Sequence, residues 1–311
     1  MSHHLESNRS AFSKPAWHGL GKIIRPEDSR NLEDFILAAN MGYEVSKEPA
    51  YALVDGGYVA IPNQWHIMRS DDQRIVSPNT VGNRYTPLQP RALFEVADPY
   101  IREGWASPDA AFTLYGGSSE VLTLRLDLQG TVNGDSSRWE NYLILQNFHG
   151  RGAMRGRIAR IRVVCHNTAT AAFSEGADFS IRHSSSVEQR MKDAVAAWGN
   201  LKAELEAMSL AMGPLTSRVL TTTERDSAIR KLAGIGATDD PNRRYVNILE
   251  AMFYSPGISG KGTAYDLIQA VTYINSHGGN KGSQMNRVQS LLDGAKANLE
   301  RKATKMMLEL V

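Results

Sequence analysis

Glu120-Val121-Leu122-Thr123-Leu124-Arg125-Leu126-Asp127-Leu128 is the stretch that decides the fold class. Leu122, Leu124, Leu126 and Leu128 alternate with Val121, Thr123, Arg125 and Asp127. A period of two puts the leucines on one face and mostly polar groups on the other, which is the pattern of a half-buried antiparallel strand. Upstream, residues 111–115 feed it through Gly116-Gly117. Downstream, a polar turn at 130–137 leads to a returning strand at 139–148, and a fourth strand at 157–164 follows a glycine-rich loop.

Farther out toward the N-terminus, Leu32, Phe35, Ile36 and Ala39 fall at helical spacing behind Asn31, with Glu33 and Asp34 in the first turn and Gly42 as the expected stop. Strand-like pieces follow at 43–45, 58–61, 65–69 and 74–76. A helix over 91–104 is expected to be disturbed by Pro99. From Val187 the period changes. Val187, Met191, Val195, Trp198, Leu201, Leu205, Met208 and Met212 predict a long amphipathic helix ending at Gly213-Pro214. Helical segments near 243–253, 264–274 and 285–310 come after it. The expected class is α+β: an N-terminal antiparallel β-sheet with inserted helices, then a mostly helical C-terminal half. The sheet domain would cover 1–186 and the helical region 187–311.

The composition is that of an ordinary globular chain. Of 311 residues, 42% are apolar and 22% charged, which excludes wholesale disorder. No apolar run reaches the length of a membrane span, and MSHHLESNRS carries no apolar signal core, so the expectation is a cytoplasmic protein. A single cysteine, Cys165, excludes an internal disulfide and any multi-cysteine metal centre. Net charge is only +2, so the distribution of charge matters more than its sum.

That distribution is uneven. Arg151, Arg155, Arg157, Arg160 and Arg162 lie in a glycine-containing stretch with no acidic residue. Guanidinium groups on a strand can clamp phosphate oxygens, and glycines let a backbone come close. The stretch therefore reads as a sequence-indifferent nucleic-acid track, with Arg182 as an extension. A solvated strand face paired with carboxylates elsewhere is the plainer alternative. Trp17, in Trp17-His18-Gly19-Leu20-Gly21, and Phe148 are candidates for base stacking or subunit contact. For Trp17, anchoring of an N-terminal arm is the safer reading.

Other motifs carry less. Cys165 and His166 are adjacent, so on a strand they point to opposite faces and cannot form a nucleophile–base pair. Gly260-Lys261-Gly262-Thr263 lacks the first glycine of a phosphate loop, and Lys261 is not followed by Ser or Thr. The spacing of His149, His166 and Asp127 brings no two groups together along the chain. No catalytic constellation, metal site or cofactor is expected.

Pro15-Ala16-Trp17-His18-Gly19-Leu20-Gly21, Arg162-Val163-Val164-Cys165-His166-Asn167-Thr168, Arg182-His183, Gly262-Thr263-Ala264-Tyr265 and Ala270-Val271-Thr272-Tyr273 occur in that order. Together they resemble the phage/plasmid-like family known as domain of unknown function 932, from about residue 15 to 310. Asn275 and Ser276 depart from that pattern, in which an acidic residue precedes His277. The resemblance implies a phage or plasmid origin and a bacterial host cell, and it supplies no activity. The expected architecture is also similar to that of ring-forming single-strand annealing proteins. The leading expectation is therefore a homo-oligomer, ring-like if the analogy holds, that binds single-stranded DNA and anneals it in recombination without a nucleotide cofactor. The alternative is a phage structural or host-interaction protein with no nucleic-acid activity.

Overall fold

A computed structural model describes residues 5–13, 21–24, 31–130, 138–150, 153–163, 169–171, 179–184, 201–277 and 295–310, with positions 186, 189 and 193. The protein mixes α and β structure, with a large sheet and most helices late in the chain. It packs as two compact units assembled from discontinuous segments. One comprises Met1–Asp127, Tyr142–Arg157 and Gly176–Gly199; the other comprises Leu128–Asn141, Ile158–Glu175 and Asn200–Val311. The change from strands to helices near residue 186 is therefore not where one unit ends, because strand segments before it belong to the second unit.

The large sheet runs β10-β8-β7-β6-β5-β1-β2, with β9 also pairing β8. Its strands are β1 (Leu5–Phe12), β2 (Lys22–Ile23), β5 (Ala106–Leu114), β6 (Ser119–Gly130), β7 (Arg138–Phe148), β8 (Ala153–Val163), β9 (Ala169–Ala171) and β10 (Phe179–Arg182). The alternation in β6 reads as expected, with Leu122, Leu124 and Leu126 buried. β5 and β6 pair antiparallel, Ala111 opposite Leu122. The tight turn between them needs three successive positive φ values, at Tyr115, Gly116 and Gly117. The sheet is not wholly antiparallel, since β1 and β2 run parallel. β1 is a strand that the polar N-terminal sequence did not announce.

In the first unit, α1 (Leu32–Ala38) and α2 (Arg91–Arg102) pack on β5 and on each other. Asn31 caps α1 by accepting the Asp34 N–H at 3.0 Å. The helix stops before Gly42, because Asn40 takes the left-handed conformation at φ 49°. Pro99 sits inside α2 without ending it; buried Val96, Ala97 and Tyr100 hold that turn on the core. A separate two-stranded sheet joins β3 (Val45–Val54) to β4 (Gly57–Arg69). The pieces expected at 58–61 and 65–69 are one strand, and residue 75 makes only an isolated bridge to Met68.

The second unit has its core among α3 (Leu201–Ser217), α4 (Thr222–Ala233), α5 (Arg243–Tyr254), α6 (Ala264–His277) and α7 (Ala295–Leu308). The central α6 packs against α3, α5, α7 and β9. α3 passes through Gly213-Pro214 rather than ending there. Met212 and Leu215, both fully buried, keep the last turn on the core, while the Thr216 and Ser217 hydroxyls bond back to carbonyls of Gly213 and Pro214. α4 escaped the hydrophobic periodicity, although its capping box, Thr221 with Glu224, is present in the sequence. The expected helix at 285–310 is described only from Ala295, and most of the first part of the expected long helix, 187–200, lies outside the described residues. Among the described residues no helix is long and apolar enough to cross a membrane.

The Gly260-Lys261-Gly262-Thr263 loop has a structural use. The buried Asp266 carboxylate accepts from the Ser259 N–H, the Ser259 hydroxyl and the Thr263 N–H, while Thr263 Oγ1 accepts the Asp266 N–H at 3.0 Å. This is a capping box that closes the loop onto the start of α6. Asp266→Ala, which orphans three donors, is expected to cost the second unit about 2–3 kcal/mol in urea unfolding. A loss under about 0.5 kcal/mol would show that the loop holds without it.

Candidate functional site

Glu120 leads the leucine face of β6 in phase with Leu122, Leu124 and Leu126, so the alternation that buries the leucines also buries a carboxylate. Its exposure is 0%. β7 repeats the arrangement: Asn147 and His149 follow Leu143 and Leu145 on one face, and all four are buried. At this end of the two strands the apolar face turns polar, and the polar groups must satisfy one another.

They do so around Glu120. Tyr43 Oη donates to Oε1 at 2.8 Å, His149 Nε2 lies 2.7 Å from the same oxygen, and Asn147 Nδ2 donates to Oε2 at 2.9 Å. Burial, then the Glu120 charge, pushes the Tyr43 hydroxyl well above its ordinary range, so it stays a donor. The Arg9 and Arg69 guanidinium groups stand over the Tyr43 ring, 5.1 and 5.2 Å from its centre. Beyond them is an ion network. Arg9, Arg69 and Arg74 face Glu6, Asp71 and Asp72, with Arg69 to Glu6 and Arg74 to Glu6 both at 3.0 Å and Arg69 and Arg9 also paired to Asp72 and Asp71.

Arg69 is itself buried. Burial works against its charge, but the hydrogen bonds it donates to Asp72 and Glu6 outweigh that and raise its pKa. Asp72 is held down to about 2, chiefly by the Arg69 hydrogen bond. Gly117 makes room for this arginine, since a Cβ there would stand 2.7 Å from Arg69 Nη1.

A second ring pair adjoins the cluster. His183 stacks on Tyr85 at 4.9 Å and lies 6.5 Å from the His149 ring. The Tyr85 hydroxyl accepts the Gly150 N–H at 3.1 Å. His183 is buried, and neither of its ring nitrogens makes a well-formed hydrogen bond among the described residues; the same holds for His149 Nδ1. Burial, then His149, lowers the His183 pKa to about 4, with Glu120 and the Phe148 and Thr86 backbone opposing.

The expectation that no two candidate groups act together along the chain missed Glu120 and His149, which the sheet brings within hydrogen-bonding distance across 29 residues. Two signals could have found them: an acid in phase with the leucines of β6, and an Asn and a His in phase with those of β7. Both side chains of the pair are fully enclosed. The geometry is that of a brace locking β6, β7 and the approach to β3 together. No group of His, Cys, Asp and Glu suited to a metal ion occurs among the described residues.

The arginine candidates lie elsewhere. Arg155 is on β8 opposite Ser180, and Arg182 is on β10 opposite Ala153. Directly opposed residues share a face, and so do residues two apart, so Arg155 and Arg182 stand on one face as diagonal neighbours. The other face of this pair of strands is core, with Met154, Ile158 and Ile181 buried. Arg182 is exposed; Arg155 is half-buried and already engaged. The backbone of Arg157 continues the Arg155 parity within the first unit. Arg160 and Arg162 have the other parity, belong to the second unit, and pair with Ala171 and Ala169 of β9. The strand thus divides its four arginines between two parities and two units. Phe148 ends β7 half-buried. Arg151, Trp17, Cys165 and His166 lie outside the described residues.

Two outcomes test the brace. Glu120→Ala strands Tyr43, Asn147 and His149 and should cost about 3–5 kcal/mol in urea unfolding, with Glu120→Gln distinctly milder; equal, small losses would refute the arrangement. His183 is neutral when folded, with its pKa depressed to about 4 from 6.5, so the unfolded chain binds the extra proton first and stability falls as pH drops from about 6.5 to about 4. His183→Phe keeps the stack and removes the titration. Its midpoint should exceed that of the wild type by more at pH 5 than at pH 7, and a parallel pH response of the two proteins would contradict this.

No curated protein and no solved structure matches the chain significantly. A family model does, over residues 79–303, which takes in β5 to β10 and every helix from α2 to the middle of α7. The chain carrying this braced sheet therefore belongs to the family described as domain of unknown function (DUF932).

Proposed function

We propose that the protein binds single-stranded DNA by its phosphates and promotes annealing, as in phage or plasmid recombination. The observation that carries the reading is the pair Arg155 and Arg182, set as diagonal neighbours on the outward face of β8 and β10. Arg157 extends the same parity. The chain between Glu140 and Glu175 has five arginines and no acid, so nothing local in sequence cancels that charge. The division of β8 narrows the earlier candidate track: Arg155, Arg157 and Arg182 form its nucleus, and Arg160 and Arg162 serve a separate stretch of strand. Such a surface neutralises phosphates, reads no base edges and leaves the bases free to pair. It acts by binding, without covalent chemistry or a nucleotide cofactor.

Fluorescence polarisation with a labelled, unstructured oligonucleotide tests this across a salt titration. Each phosphate contact contributes about 0.7 to the slope of log K against log salt, so three arginines predict a slope near −2. Arg182→Ala, at an exposed position, should flatten the slope by about 0.7 and leave the fold intact. Absence of binding at low salt, or an unchanged slope in Arg155→Ala/Arg182→Ala, would overturn the proposal. The second reading, a structural or host-interaction protein, would then take its place.

A further inference from the structure

The β3–β4 hairpin ends in a tip that is apolar on both faces. Its register sets Leu53 opposite Tyr58 and Tyr51 opposite Ala60 on one face, and Ala52 opposite Val59 and Val54 opposite Gly57 on the other. Tyr58 is 80% exposed, Leu53 68% and Tyr51 56%; Val54 and Val59 are also open. From Pro49 to Gln64 the only charged residue is Asp55, in the turn. Soluble proteins protect such edges with charge, and a two-stranded hairpin with no buried face has little to hold it. Large side chains held open on both sides mark a contact surface.

We propose that the occupant of this surface is a second copy of the chain, the two tips packing on each other. Three observations select it. The tip carries almost no charge, so it does not repel its own copy and offers nothing to a phosphate backbone or a highly charged partner. The backbone edges of Tyr51–Val54 and Gly57–Ala60 form no further ladder among the described residues, and an identical hairpin brings the matching strand. Tyr51, Leu53 and Tyr58 share one face and present on the order of 400 Å² per copy, so two copies packed through it bury about 800 Å², the size of a weak, reversible contact.

The edge is also bounded. Pro49 and Pro62 flank it, the register shifts between Pro49 and Tyr51, and Asn63 turns to φ 58°. Pairing along the edge is therefore confined to the tip residues. This inference uses none of the arginines and does not depend on the nucleic-acid reading, although annealing along a strand would use the repeated subunit it provides.

Sedimentation velocity on the full chain, from about 1 to about 100 µM, reads the association directly, an interface of this size being expected in the micromolar range. The wild type should shift from monomer to a larger species across that range, and added salt should not weaken the shift. Leu53→Glu/Tyr58→Glu should stay monomeric throughout, at least tenfold weaker, with unchanged circular dichroism. Tyr254→Glu removes an equally exposed tyrosine of α5 and should associate like the wild type. If the double variant loses its fold, Tyr58→Ser takes its place, since it removes only an exposed ring. A wild type that stays monomeric at the highest concentration overturns the proposal, whatever then covers the tip. Undiminished association of the tip variants, or loss of association in Tyr254→Glu alone, overturns it equally.

Discussion

A carboxylate on a leucine face has to be answered by donors, and the first unit is arranged around that requirement. Glu120 occupies a position whose backbone phase matches the core, not the solvent. Removing its charge from water costs several kcal/mol unless hydrogen bonds replace the lost hydration. Tyr43 supplies one from before β3, and Asn147 and His149 supply the others from the end of β7. Because each must arrive within about 3 Å, the carboxylate fixes how β7 lies beside β6 and how the chain enters β3.

The consequences spread outward. Tyr43 can serve as a donor only if its ring is held, and Arg9 and Arg69 hold it from β1 and from the end of β4. Those arginines are themselves buried and need acids, which come from Glu6 and from the Asp71-Asp72 turn. Alternate members of the chain are thus a buried polar group and the partner that justifies it. A network of this kind contributes less to net stability than an apolar core of the same volume, and it is unforgiving of partial disruption. It sets one arrangement of the strands apart from near alternatives.

The second unit solves its comparable problem locally. Asp266 is as buried as Glu120, yet its partners lie within seven residues, in the loop it closes. That is why the glycine-rich loop resembled a phosphate site in sequence. Gly260 and Gly262 take positive φ so that the backbone can fold onto a side-chain carboxylate instead of a ligand.

The sequence by itself determined what depends on neighbours in the chain: the mixture of strands and helices, the leucine alternation of β6, the Asn31 cap, the rejection of a phosphate loop and the parity split among the arginines of β8. Its errors came where packing outweighed a local signal. Buried Met212 and Leu215 carried α3 past a proline, and Asn40 ended α1 before the glycine expected to do so. Only the tertiary structure decided which side chains meet. Glu120 and His149 stand 29 residues apart, and Arg69 and Glu6 stand 63 apart, so no spacing rule along the chain connects them. Strand pairing does, because it converts a position within an alternating pattern into a place on a shared face. The exposure of the β3–β4 tip was likewise invisible beforehand: an apolar strand reads the same in sequence whether a core covers it or nothing does.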